Sequence, residues 1–186
     1  MRVAATFALP VCLAAVLGCS SESSSDVRGR GLAVAPVSPE AQARIYEAAA
    51  SSAFDVTDPS LSLLVDPRRL PRVVGLTPDG RLPDSVISAL RSGTVIKGTC
   101  EPPLTGVVGA PVCKAERPGY VLRFSPVFTI KGDSTQVYLY AQQYGTPESG
   151  VSPTLRFERA YQVVRRGDEW RAVREGHVPK EARGEK

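Results

Sequence analysis

The chain contains a single histidine, a single tryptophan and a single methionine, and only four cysteines among 186 residues. The one histidine, His177, lies in a polar stretch just before Pro179. It reads as an idle surface residue rather than a general base, and Ser–His or multi-histidine zinc chemistry lacks its components. There is no Gly-x-Ser-x-Gly elbow, no His-Glu-x-x-His and no phosphate-binding loop. Nothing in the chain calls for a cofactor or a metal. No apolar run reaches the roughly 20 residues needed to cross a membrane as a helix. Charge of one sign is also missing, since 23 basic against 19 acidic residues leave a net charge of only +4. So balanced a chain does not announce nucleic acid as a partner.

The N-terminus has a definite order. Arg2 precedes an apolar run from Val3 to Leu17, and no acid occurs before Glu22. A basic residue, an apolar stretch and then a small residue is the order of a secretion signal. The run closes as Val16-Leu17-Gly18-Cys19. In this it resembles the lipobox of bacterial lipoproteins, with Val16 where that family favours leucine. The resemblance implies removal of residues 1–18 and acylation of Cys19, palmitate included. Several acyl chains hold a protein firmly, whereas one myristoyl chain holds it marginally. Ser20 stands where the family uses aspartate to retain lipoproteins at the inner membrane, which points to the periplasmic side of the outer membrane. The plainer alternative is an ordinary cleaved signal ending near a cysteine. The expected partners are the membrane, through lipid on Cys19, and an envelope protein or polymer.

With Cys12 lost in the signal and Cys19 lipidated, Cys100 and Cys113 remain as one pair. In an oxidising compartment such a pair is expected to close a disulfide, worth about 3 kcal/mol in the chain-entropy account. Two cysteines and one histidine fall short of a zinc shell.

From Cys19 to Val37 the chain is rich in serine, glycine and small residues and reads as a flexible tether. Residues 38–178 form a single domain, followed by a polar tail at 179–186. Ser38-Pro39-Glu40 supplies an N-cap, a first-turn proline and an acid for the helix start. It predicts a helix from Pro39 to about Ser51, with Ile45 and Tyr46 as its larger anchors. Leu61 to Val65 reads as a short buried strand. Asp84 is placed to cap a second helix through Val86, Ile87 and Leu90, stopping at Gly93. Thr94 to Lys97 then reads as another strand.

Nine of the eleven aromatics beyond the signal fall between Tyr120 and Trp170, so the sheet is expected there. Turn signals at Lys131-Gly132-Asp133-Ser134, at Gly145 to Pro153 and at Arg166-Gly167-Asp168-Glu169 divide the region. Four antiparallel strands result: Tyr120–Ile130, Thr135–Tyr144, Thr154–Arg165 and Glu169–Glu175. Counting the earlier strands, the fold class is α+β: two helices packed on an antiparallel meander of about four to six strands, with one disulfide loop. The helix followed by a long meander resembles the cone-shaped nuclear-transport-factor-like folds. Tyr161, Val163, Gly167 and Trp170 resemble the closing strands of certain periplasmic proteins.

Along the second long strand, Val137, Leu139 and Ala141 alternate with Gln136, Tyr138, Tyr140, Gln142 and Tyr144. The first set reads as core. The second is a candidate binding face, since tyrosine offers contact area and glutamine both donates and accepts. The alternative places these tyrosines under the N-terminal helix. Arg165, Arg166, Arg171 and Arg174 form a locally basic hairpin, and Arg166-Gly167-Asp168 is explained as turn chemistry.

The resulting expectation is a lipid-anchored envelope protein working as a non-enzymatic binding or assembly module. One alternative is a histidine-free cell-wall hydrolase using two carboxylates, with Asp55, Asp58, Asp66, Asp79 and Asp84 as its candidates. Another is an enzyme inhibitor wedging with the 100–113 loop.

Overall fold

The computed structural model describes residues 33–68, 80–100, 113, 119–144 and 156–177. The signal, Cys19, most of the tether, the Gly145–Pro153 turn, the interior of the 100–113 loop and the 179–186 tail lie outside the described residues. Two helices and one seven-stranded, mostly antiparallel sheet make the domain α+β.

Helix α1 runs from Pro39 to Ala53, and the Ser38 hydroxyl accepts from the Ala41 N–H at 3.2 Å as its N-cap. Its buried stripe is Ala43, Ile45, Tyr46, Ala49 and Ala50. Three alanines there let the helix lie close to the sheet, and the fully buried Ile45 and Tyr46 each contribute about 1.5–3 kcal/mol of apolar transfer. Helix α2 covers Asp84–Arg91 and buries Val86, Ile87 and Leu90 against α1. Its N-cap is Pro83 rather than Asp84, which is the first helical residue and faces Arg81 at 3.3 Å. Among the described residues no helix is long and apolar enough to span a membrane.

The strands are β1 (Ser62–Val65), β2 (Gly98–Thr99), β3 (Gly119–Phe124), β4 (Phe128–Lys131), β5 (Ser134–Tyr144), β6 (Arg156–Arg166) and β7 (Glu169–Gly176). They are ordered β2-β1-β3-β5-β6-β7, with β4 also on β5. The meander from β3 to β7 is antiparallel as expected, but β1 pairs in parallel with both β2 and β3. The expected strand at Thr94–Lys97 is displaced. Ile96 gives its side chain to the core, and the backbone bonds to β1 start at Lys97 N to Leu63 O, 2.9 Å.

The expected first long strand is broken into β3 and β4 by Ser125-Pro126-Val127. Proline has no N–H for the ladder, and the pairing with β5 shifts by one residue across the break. The lost bonds are replaced locally. Ser125 N donates to Tyr138 O at 3.0 Å, and Tyr138 N donates to the Ser125 hydroxyl at 2.9 Å. The Ser125 carbonyl accepts from the Tyr46 hydroxyl at 2.8 Å, tying α1 to the break. The Tyr46 ring stacks on Phe124 with centroids 4.4 Å apart.

The domain also begins earlier than the tether reading allowed. Ala35 N donates to Val127 O and Thr129 N to Ala33 O, so residues 33–35 pair along β4, and Ala35 joins the core. Both hairpin turns have glycine first, Gly132 at φ 57° and Gly167 at φ 63°, as type II′ turns require. The disulfide Cys100–Cys113 is formed, with Cys100 buried at the end of β2.

Candidate functional site

α1 packs over β5, β6 and β7 as well as α2. On the side toward β7 it presents Arg44, Glu47, Ala48, Ser51 and Ser52, one stripe at helical spacing. Ala48, Ser51 and Ser52 are short, and beside them an open groove of about 690 Å³ separates helix from hairpin. The hairpin side is Asp168, Glu169, Trp170, Arg171 and Ala172. Trp170, the chain's single indole, is half-buried against the core cluster.

The charges along this groove are held in different ways. Glu47 accepts from the Val95 N–H at 3.3 Å and lies against Gly93, where a Cβ would sit 1.8 Å from its Oε1. Glu47 thus latches the loop after α2 to α1. Arg44 reaches the Asp168 carbonyl at 3.5 Å, Arg165 the Asp168 carboxylate at 3.5 Å, and Arg171 donates to Glu169 at 3.0 Å through Nε. These pairs are exposed and contribute little to stability, so their charges can be given to a ligand at small cost.

A second cluster joins distant parts of the chain. Asp66, one of the candidate carboxylates, follows β1 and is 1% exposed. It accepts from Arg68 N at 3.0 Å, from Arg68 Nη2 at 2.9 Å and from Arg123 Nε at 2.6 Å. Burial alone would raise its carboxyl. The hydrogen bonds from Arg68 and Arg123, with the charge of Arg123, outweigh burial and hold it below the ordinary aspartate range. Its partner Arg123 is 57 residues away, so no local pattern marks the pair.

The Gln136/Tyr138/Tyr140/Gln142/Tyr144 row lies on the sheet face opposite α1, since Val137, Leu139 and Ala141 fill the helix-side core. The tyrosines are therefore not under the helix. Nor is the row an open recognition surface throughout: Gln136 and Tyr138 are 4% and 1% exposed, and only Tyr140, Gln142 and Tyr144 are half-buried. Burial pushes the Tyr138 and Tyr144 hydroxyls up from their ordinary values, the Ser62 hydroxyl opposing the shift at Tyr144. Among the described residues, the Tyr138 hydroxyl and Gln136 Oε1 have no hydrogen-bond partner.

Of the candidate carboxylates, Asp55 binds Thr57 and Asp58 binds Ser60 within their own turns, at 2.6–3.1 Å. Asp84 faces Arg81, Asp66 is bound by two arginines, and Asp79 lies outside the described residues. His177 is exposed. Among the described residues no three His, Cys, Asp or Glu side chains are grouped as metal ligands. The arrangement offers a groove with an indole, hydroxyls and exchangeable charges of both signs, which is equipment for holding a ligand. No protein-family model matches the chain, and no curated protein or solved structure is significantly similar to it.

Proposed function

We propose that this chain is a lipid-anchored, non-enzymatic binding module of the bacterial envelope, held at the membrane through Cys19 and engaging an envelope protein or polymer through the groove between α1 and β7. The observation that supports the reading is the groove itself, about 690 Å³ and open to solvent. Its mixed charges and hydroxyls suit an extended polar ligand better than a small apolar one. The anchor rests on the Val16-Leu17-Gly18-Cys19 pattern, and Ser20 favours the outer membrane over the inner.

The test couples both halves. Labelled palmitate is fed to cells producing the wild-type chain or Cys19→Ala, and the membrane fraction is then crosslinked from a photoreactive residue at Ser51. The expected result is label and membrane association in the wild type only, with a crosslinked envelope product lost in Ser52→Trp, whose indole fills the groove. Equal membrane association of Cys19→Ala removes the anchor. A product unchanged by Ser52→Trp removes the groove.

A further inference from the structure

We infer that the groove takes an extended polypeptide segment of a partner protein, which adds as a further strand to the edge of β7 that has no neighbouring strand among the described residues; the inference rests on the groove reading above. The Gly167-Asp168 turn has two residues, so Arg166–Glu169 and Val164–Arg171 are the narrow, hydrogen-bonded pairs of the β6·β7 ladder. Arg165 fixes this phase, because its N–H bonds to Asp133 O at 3.3 Å, on the side of β5. Trp170 and Ala172 therefore turn their N–H and C=O groups away from β6, to the open side of β7. That side is the end of the sheet, and both residues line the groove.

Outward donors and acceptors repeating every second residue, about 7 Å apart, match the repeat of another polypeptide backbone. A glycan has no such repeat of paired donor and acceptor. Across the groove, Ala48, Ser51 and Ser52 leave room for the side chains that an added strand points toward α1. β7 carries exposed charges of both signs, in the order Glu169, Arg171, Arg174 and Glu175. Charged edges resist indiscriminate pairing. An acid at each end and two arginines between them favour a strand with the complementary order of signs.

The test uses the exported protein in detergent micelles, linear peptides selected against it from a random phage library, and a chito-oligosaccharide as the competing class. A selected peptide is expected to slow amide exchange across residues 168–174 by about tenfold. Its Kd is expected to weaken by about tenfold in Ala172→Pro, which removes an outward donor and spares the β6 ladder. Ser52→Trp supplies the same loss from the helix side, independently of the strand. Peptides that bind without slowing exchange at 168–174, or with the same Kd in both variants, overturn strand addition. Oligosaccharide binding that Ser52→Trp abolishes, with no peptide selected, overturns the peptide and supports the groove. Failure of both probes to respond to Ser52→Trp overturns the groove reading as well.

Discussion

Tyr46, on the helix over the sheet, and Tyr138, on strand β5, are both almost fully buried, yet their hydroxyls meet opposite fates. Tyr46, on the helix side, donates to the Ser125 carbonyl and accepts from Gln42 Nε2. Tyr138, on the far side, has no partner for its hydroxyl among the described residues. The same division runs through the whole sheet. Under α1 and α2 the interior is apolar, filled by Leu63, Val65, Leu122, Phe124, Val137 and Leu139. On the far face the buried groups include Asp66, held by Arg68 and Arg123, and Gln136. Stability is therefore concentrated on one face, and polar groups that cost free energy to bury are concentrated on the other.

Four substitutions break or sharpen this contrast. The largest effect is expected on the helix side, where Leu139→Ala leaves a cavity in a fully buried site and lowers unfolding free energy by about 4 kcal/mol. A loss under about 1 kcal/mol in urea denaturation would mean that this face is not the main core. Next is Asp66→Ala on the far face, expected to cost about 3 kcal/mol because it removes the buried carboxylate that binds Arg68 and Arg123. Asp66 also predicts a pH dependence. Its folded carboxyl titrates below the ordinary value, so its contribution is complete above about pH 4 and is lost as pH falls through the folded value. The wild type should lose stability in that acid range more steeply than Asp66→Ala, and parallel curves would contradict the ion pair's role.

The two smaller predictions delete one atom on each side. Tyr46→Phe removes a bonded hydroxyl and leaves the Ser125 carbonyl short of a donor, at a cost of about 1.5 kcal/mol. Tyr138→Phe removes a hydroxyl with no partner and should be neutral or stabilising by up to about 1 kcal/mol. Equal costs for the pair, measured by thermal and urea unfolding, would erase the distinction between the faces.

How much of this was legible depended on how far apart the interacting residues lie in the chain. Ser38-Pro39-Glu40 announces α1 because a cap is made by residues three apart. Gly132 and Gly167 announce their turns because positive φ is a local demand. Alternation along β5 separated Val137, Leu139 and Ala141 from the Tyr/Gln row, but parity does not say which side a helix will cover. The pairing of Asp66 with Arg123, the parallel placement of β1 beside β3 and the meeting of Ser51 with Trp170 all join distant stretches. Pro126 is a local signal that β3 cannot run unbroken to Ile130, since proline lacks the ladder N–H. The Thr94–Lys97 run has strand-like composition, yet pairing with β1 begins only at its end, with Lys97 N to Leu63 O. Of the groove, Trp170 was visible as the sole indole. The short residues of α1 that open the space beside it look, in sequence, like ordinary helix surface.

The pairing of residues 33–35 along β4 has a mechanical side. If the chain is held by lipid at Cys19, as proposed above, a pull from the N-terminal side reaches Ala33, the first described residue. It meets two backbone hydrogen bonds, Thr129 N to Ala33 O and Ala35 N to Val127 O, before it reaches α1. Because the segment lies on the margin of the sheet, those bonds can part and re-form without disturbing Tyr46, Phe124 or the strands behind them. Under such a pull the clip would act as a yielding joint, opening while the groove beside α1 keeps its shape.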